Sequence, residues 1–195
     1  MRKSIRHILF VILIAFLFSL HLLIVNAPSA YVFDEATYVP EALSIVSRGW
    51  IPTYHPPLAK VLIAISILVF GNNALGWRFP SIVFGICSVI VLYLAIKEVG
   101  NGSLALLSAT FFGLDNLVFV QSSIAMLDIF FVFFMILGFY FYFRNNHRCS
   151  SLSMTLSCLS KVTGLLGIPV VLAHFVLTHK RSRLKFFIQY LTTFL

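Results

Sequence analysis

Long apolar runs alternate with short polar breaks along this chain, and that alternation predicts helices that cross or enter a membrane. The runs 8–25, 79–96 and 129–143 approach or reach the length of a bilayer-spanning helix. A shorter run at 58–70 has only 13 residues and follows Pro56-Pro57, which suits a re-entrant or interfacial helix better than a span. Residues 151–178 form one apolar stretch interrupted at Ser160-Lys161 and at Gly164, Gly167 and Pro169. Two short helices that turn back at mid-membrane fit this pattern, because broken backbone at that depth is tolerated only inside protein or against a cavity. Another apolar helix starts at Leu184 and is unfinished at Leu195.

Between the first two long runs lies a polar segment, FDEATYVPEALSIVSRGWIPTYHPPLAK, at 33–60. It holds Asp34, Glu35 and Glu41, half of the six carboxylates, together with Tyr38, Arg48, His55 and Lys60. Charges beside a membrane segment are costly, so this cluster is a functional candidate by default. Pro40 suits the first turn of a helix running from about 40 to 48 and ended by Gly49, with Asp34 and Glu35 on the approach to it. In helical geometry Asp34, Tyr38 and Glu41 share a face. Pro56-Pro57 holds His55 just ahead of the next short helix, and the Lys60 stem can reach the interface from its first turn.

Composition agrees with a membrane location. Sixty per cent of residues are apolar, mean hydropathy is +1.00 and only 10% are charged, too few to coat a soluble domain. The net charge of +8 does not point to nucleic acid, because the basic residues flank apolar runs instead of interleaving with stacking aromatics. Cys87, Cys149 and Cys158 form no CxxC pair and read as small buried hydrophobes. The run after Arg2, Lys3 and Arg6 is longer than a signal-peptide core and lacks a small-x-small cleavage site, so it reads as a retained helix.

Charge also sets the expected topology. If 58–70 does not span, ten of the 14 basic residues fall on the cytoplasmic side: Arg2, Lys3, Arg6, Lys97, Arg144, Arg148, Lys180, Arg181, Arg183 and Lys185. Arg48, Lys60 and Arg78 fall outside and Lys161 within the membrane. Five of six acids then face outward: Asp34, Glu35, Glu41, Asp115 at the end of the third helix, and Asp128 at the start of the fourth. The expectation is an all-α, polytopic transmembrane bundle forming one module over 1–195. Its N-terminus is cytoplasmic, and an extracytoplasmic first loop at 27–76 roofs a polar site. The sequon at Asn101 falls in a cytoplasmic turn, where glycosylation is not expected.

Five ordered blocks carry a family resemblance: FDE-x(2)-Y, HPPLAK, WRFPS-x(2)-FG, LDNLVFVQS-x-IAMLD and LSK-x(2)-G. In order and spacing they resemble the protein O-mannosyltransferases, GT-C glycosyltransferases that use a polyprenyl-phosphate sugar, over about residues 8–180. The resemblance implies a multi-helix GT-C bundle with short juxtamembrane helices in its first outer loop. It implies an inverting transfer, of mannose in the family's manner, from dolichyl or polyprenyl phosphate to a Ser or Thr hydroxyl of a protein. Asp34 matches the general base, and Glu35 would orient the sugar or support Asp34. His55, Lys60 and Arg78 are the candidates for the lipid phosphate, with Tyr38 and Lys161 also in the binding set. Asp115, Asn116 and Asp128 match an outer acidic block that shapes the sugar pocket. No cofactor is required, since the lipid phosphate is an activated donor, although a divalent cation is compatible with the carboxylates. The implied partners are the lipid-linked sugar, a protein acceptor, the bilayer and a second chain if one completes the fold. Position 123 is Ser, where the family block usually carries Arg.

Plainer readings compete for the same residues. Asp34 could cap a turn, Lys60 and Arg78 could anchor at the interface, and Asp115 and Asp128 could mark helix ends. Lys161 could pair with a helix end. Gly85, Gly113 and Gly138 read as helix-packing positions. A non-catalytic subunit of the same fold remains open, as does a transporter fragment, although the internal repeat expected of the latter is missing.

Overall fold

The computed structural model describes residues 3–49, 54–178 and 190. The predicted helix from Leu184, together with Arg2 and the basic cluster at 180–185, lies outside them. The described residues are all-α, with no strand among them. Helix α1 (Lys3–Ile24) leads to α2 (Glu35–Arg48), α3 (Leu58–Phe70) and α4 (Ala74–Val99). After these come α5 (Gly102–Leu114), α6 (Asn116–Ser123), α7 (Asp128–Phe143), α8 (His147–Ser160), a 3₁₀ turn (Val162–Leu166) and α9 (Gly167–Thr178).

Helices α1 and α4 are each long and apolar enough to cross a membrane. The third apolar region is broken. α5 and α6 meet at 61°, with Asp115 ending one and capping the other through a bond from Val118 N–H to Oδ1 of 3.1 Å. A carboxylate that accepts the unpaired amides of a new helix start makes such an elbow stable. The run at 58–70 is a helix over those same residues, stopped at Gly71 with φ +85°.

Helix α2 begins earlier than the proline implied. It starts at Glu35 and carries Pro40 inside it, because Glu35 is fixed by tertiary contacts that outweigh the amide bond lost at the ring. Its end matches expectation: Gly49 adopts φ +66° and its N–H closes on Ile45 O at 3.1 Å.

Two ends of the bundle differ in charge. Phe84 packs on Phe130 near one end, and Glu98 meets Arg144 (3.8 Å) at the other, so α4 and α7 run parallel. Gly102 abuts Arg6 and Gly113 abuts Leu17, so α1 and α5 also run parallel. Arg6, Lys97, Glu98 and Arg144 therefore gather at one end. Asp34, Arg78 and Asp128 gather at the other, where α2, α3, the start of α4 and the 124–127 turn share a buried cluster of Tyr38, Ala59, Ile63, Trp77, Ala125 and Leu127.

The segment after α7 turns back, but not at mid-depth. Helix α8 packs antiparallel along α7, and Lys161 just beyond it reaches Asp128 at the α7 N-terminus. The turn therefore sits at that end of α7, and α9 descends again until His174 meets Tyr142 at 2.7 Å. Serines 150, 151, 153, 157 and 160 are all buried, and small side chains permit this close approach.

The packing role expected of Gly85, Gly113 and Gly138 is borne out: a Cβ there would strike Ser122, Leu17 and Met154 respectively. Gly85→Leu should cost about 1–3 kcal/mol by overpacking the α4–α6 contact, read as a lower thermal midpoint in detergent.

Candidate active site

A buried ion pair underlies the polar end of the bundle. Glu35, the first residue of α2, and Arg78, in the second turn of α4, are both fully buried. Arg78 Nε and Nη2 donate to the two carboxylate oxygens at 2.8 Å each. Its remaining N–H groups go to the carbonyls of Val25 (2.8 Å), Pro28 (2.9 Å) and Ala30 (3.2 Å). A guanidinium has five N–H donors, and all five are used, which leaves none for a phosphate. Glu35 is equally committed, accepting Ala125 N–H on Oε1 (2.8 Å) and Val32 N–H on Oε2 (3.0 Å) besides Arg78. The pair ties the start of α2 to α4, to the chain at 25–32 and to the turn before α7. Of the two roles expected for Glu35, this geometry favours supporting its neighbour Asp34 over touching a sugar.

Asp34 stands above that hub and is exposed. It occupies the N-cap position of α2, yet its carboxylate makes no capping bond, so the plain capping role does not account for it. Among the described residues one hydrogen bond reaches it: the Tyr38 hydroxyl donates to Oδ2 at 3.4 Å. Phe33, immediately before, adopts φ +50°, a costly left-handed conformation for a bulky residue, and is 79% exposed. That kink turns the chain into α2 and leaves the carboxylate at its tip.

Around Asp34 the helical face expected from spacing is present. Tyr38 is buried, with its ring edge-on to His55 at 5.8 Å between centroids. Glu41 pairs with Lys60 at 2.8 Å, and Lys60 donates to the His55 carbonyl at 3.2 Å. Lys60 is thus buried inside the α2–α3 contact instead of reaching out to an interface. Burial, then the nearby charges of Asp34 and Asp128, the Asp34 hydrogen bond and the charge of Glu41, push the Tyr38 phenol up to about 12. Its ordinary value is about 10, so the neutral phenol contributes stability below pH ~10 that fades as pH rises through about 12. A phenolate absorption titration of wild type minus Tyr38→Phe should place this transition near pH 12, and a midpoint near pH 10 would contradict the packing.

A second pair lies at the same end of the bundle. Lys161 Nζ meets both oxygens of Asp128 at 2.8 Å, with the two side chains 21% and 25% exposed. The helix-end reading of Lys161 therefore holds, although the pair remains open enough to meet a ligand. Asp115 and Asn116 sit exposed at the α5–α6 elbow, where Asp115 is engaged in capping. Asp34, Tyr38, His55, Lys60, Asp128 and Lys161 are thus brought to one end of the bundle, over Glu35 and Arg78. Among the described residues no group of three or more His, Cys, Asp or Glu is set to hold a metal ion.

Two polar features had no sequence signal strong enough to single them out. His21, buried in α1, shares a 2.9 Å bond with Ser123 and stacks on Phe119, tying α1 to α6. Ser123 Oγ also donates to Phe119 O at 2.7 Å, so Ser123 is held in a closed hydrogen-bonded contact. Gln121 has a buried Oε1 with no hydrogen-bond partner among the described residues. A polar residue within an apolar helix was the available hint.

Comparison with known proteins decides the family. The family model described as dolichyl-phosphate-mannose-protein mannosyltransferase matches residues 54–195. The chain belongs to this family. It is 36% identical over 125 residues to the polyprenol-phosphate-mannose–protein mannosyltransferase of Corynebacterium glutamicum, covering 56% of this chain and 24% of that protein. The protein of the same description from Mycolicibacterium smegmatis is 37% identical over 119 residues, covering 55% and 22%. Dolichyl-phosphate-mannose–protein mannosyltransferase 5 of Saccharomyces cerevisiae is 29% identical over 140 residues, covering 63% and 19%. The chain thus spans about a quarter or less of the length of these relatives. No solved structure matches it. With its apolar helices, family membership makes this mannosyltransferase-family chain an integral membrane protein with an all-α bundle of the GT-C type.

Proposed function

We propose that this chain carries the catalytic end of a membrane mannosyltransferase that moves mannose from a polyprenyl- or dolichyl-phosphate donor to a Ser or Thr hydroxyl of a protein. The observation that carries the reading is the exposed, uncapped Asp34 carboxylate, held at the head of α2 by the Glu35–Arg78 pair in a chain of this family. The acceptor hydroxyl gives its proton to Asp34 while its oxygen bonds to the anomeric carbon. The bond from that carbon to the phosphate oxygen breaks, and its electron pair leaves on the lipid phosphate. Attack opposite the leaving group inverts the anomeric centre.

Leaving is favoured by positive charge near the phosphate. Lys161, partly exposed at this end of the bundle, supplies it, His55 stands beside it as a hydrogen-bonding group over the buried Lys60–Glu41 pair, and Arg78 supports the site from below through Glu35. Asp128, Asp115 and Asn116 border the sugar. The polar end lies on the extracytoplasmic side, within and beneath the first loop at 27–76, and the end bearing Arg6, Lys97 and Arg144 faces the cytoplasm.

The test is mannose transfer in membranes containing the protein, supplied with radiolabelled lipid-phosphate mannose and a Ser/Thr-rich acceptor. Transfer that disappears in Asp34→Asn supports the reading. Transfer unchanged in that variant excludes Asp34 as the base, and well-inserted wild-type protein without transfer favours a non-catalytic subunit of the same fold.

A further inference from the structure

A groove of about 380 Å³ runs between α1 and α4, towards the end of the bundle opposite Asp34. Its lining is apolar, with Phe10, Ile14 and Phe18 on one wall and Ile86 and Ile90 on the other. Phe10 stacks on Tyr93 at 4.0 Å between ring centroids, and Gly113 abuts both Leu17 and Val89. The two helices are therefore antiparallel, and the start of α1 lies beside the end of α4.

Cations stand at that end of the groove. On α1, Lys3 shares a face with Phe10 and Ile14 by helical spacing; on α4, Lys97 shares one with Ile86, Ile90 and Tyr93. Both lysines are exposed, and the Lys97 ammonium lies over the Tyr93 ring, 5.5 Å from its centroid. Arg6, which abuts Gly102, adds a third positive charge. Glu98 is the one acid at this end among the described residues, and it pairs with Arg144 of α7 at 3.8 Å. Each wall of the groove thus reads as a lysine followed by apolar side chains.

That sequence of chemistry selects the occupant. An apolar helix laid in the groove would bring no anion to the two lysines. A zwitterionic headgroup would bring its own ammonium to them. The isoprenoid tail of the donor does not fit either, because its phosphate belongs with Arg78's end of α4, roughly 28 Å from Lys97 along the helix axis. A phospholipid with a net negative headgroup meets both requirements. From Phe10 to Phe18 the groove extends roughly 12 Å, close to the ~15 Å depth of one leaflet's hydrocarbon.

We propose that the α1–α4 groove holds an acyl chain of an anionic phospholipid, whose headgroup sits between Lys3 and Lys97. Basic side chains at the ends of membrane helices attract such headgroups, and here an apolar channel continues directly from them. The site is separate from the one at Asp34 and does not depend on the transfer reaction.

The experiment photolabels the purified full chain in phosphatidylcholine nanodiscs. One probe is a phosphatidylglycerol with a diazirine part-way along an acyl chain, and the other is a phosphatidylcholine with the same chain. Phosphatidylglycerol should label Phe10–Phe18 and Ile86–Ile90 more than tenfold over phosphatidylcholine, a preference that falls as salt is raised. Lys3→Gln and Lys97→Gln should each cut the preference about fivefold. Arg148→Gln removes a charge at the same end on α8, and should leave it unchanged. Ala15, an exposed residue of the groove lining, gives the steric test. Ala15→Trp should abolish labelling of Ile86–Ile90 by both probes while the thermal midpoint stays at the wild-type value. Equal labelling by the two probes, or a loss in Arg148→Gln as large as in Lys97→Gln, would overturn the proposal in favour of diffuse charge. Labelling that survives Ala15→Trp would place the chain elsewhere. A groove that neither probe labels is covered by protein, which overturns the proposal too. Stronger labelling by a diazirine polyprenyl phosphate than by phosphatidylglycerol would give the groove to the donor's tail instead.

Discussion

Asp34→Asn should lower mannose transfer by about 10²–10⁴-fold, the usual contribution of a general base, while the protein inserts and unfolds as wild type does. The two halves of this expectation come from different observations. Loss of rate follows because an amide cannot take the proton of the attacking hydroxyl. Preserved stability follows because the carboxylate is exposed, caps nothing and, among the described residues, receives one long contact of 3.4 Å from Tyr38. An Asp34 that acted as a cap would show the opposite signature, a loss of about 0.5–2 kcal/mol in stability with transfer retained. Measuring transfer and thermal midpoint on the same preparation separates the two, and a destabilised but active variant would sink the catalytic assignment.

The elements of this fold were legible to different degrees, for physical reasons. Spans and breaks are written in hydropathy, so α1, α4 and the 13-residue α3 could be read directly, and Gly49 marked the end of α2 by its need for a left-handed backbone. The start of α2 could not be read, because what fixes it is Arg78, 43 residues away, and not the local effect of Pro40. The level at which the chain turns back after α8 differs from the mid-membrane expectation for the same reason: the Lys161–Asp128 pair places it, and pairing between distant charges leaves no local pattern. Within the site, the shared face of Asp34, Tyr38 and Glu41 is legible from helical spacing, whereas the role of Asp34 comes from the family resemblance. Lys60 and Arg78 stood out as charges beside a membrane, but their commitments, to Glu41 and to Glu35, became visible only in three dimensions. Gln121 carried no charge to draw the eye, and its unmet acceptor exists only because the fold buries it.

Arg78→Met should cost about 3–5 kcal/mol of stability and abolish transfer with it, the largest structural effect expected in this chain. Removing the guanidinium strands the Glu35 carboxylate, which among the described residues keeps the Val32 and Ala125 amides alone, in a fully buried site. It also strands the carbonyls of Val25, Pro28 and Ala30, each held by Arg78 alone among the bonds seen here. Arg78→Lys should recover only part of the loss, since a single ammonium cannot span two carboxylate oxygens and three carbonyls as the planar fork does. Glu35→Gln should also destabilise, because the charge left buried is then the guanidinium. Since the pair fails as a unit, Glu35→Gln combined with Arg78→Met should cost less than the sum of the two single changes. A phosphate-binding role for Arg78 predicts a different pattern. Arg78→Lys would then keep most donor affinity, Glu35→Gln would leave the thermal midpoint unchanged, and the two changes would add. Thermal unfolding of the three variants and the double variant in detergent, read beside lipid-donor binding, distinguishes these outcomes. A fold that tolerates Arg78→Met without loss would remove the hub from beneath Asp34, and with it the reason that the base is held where it is.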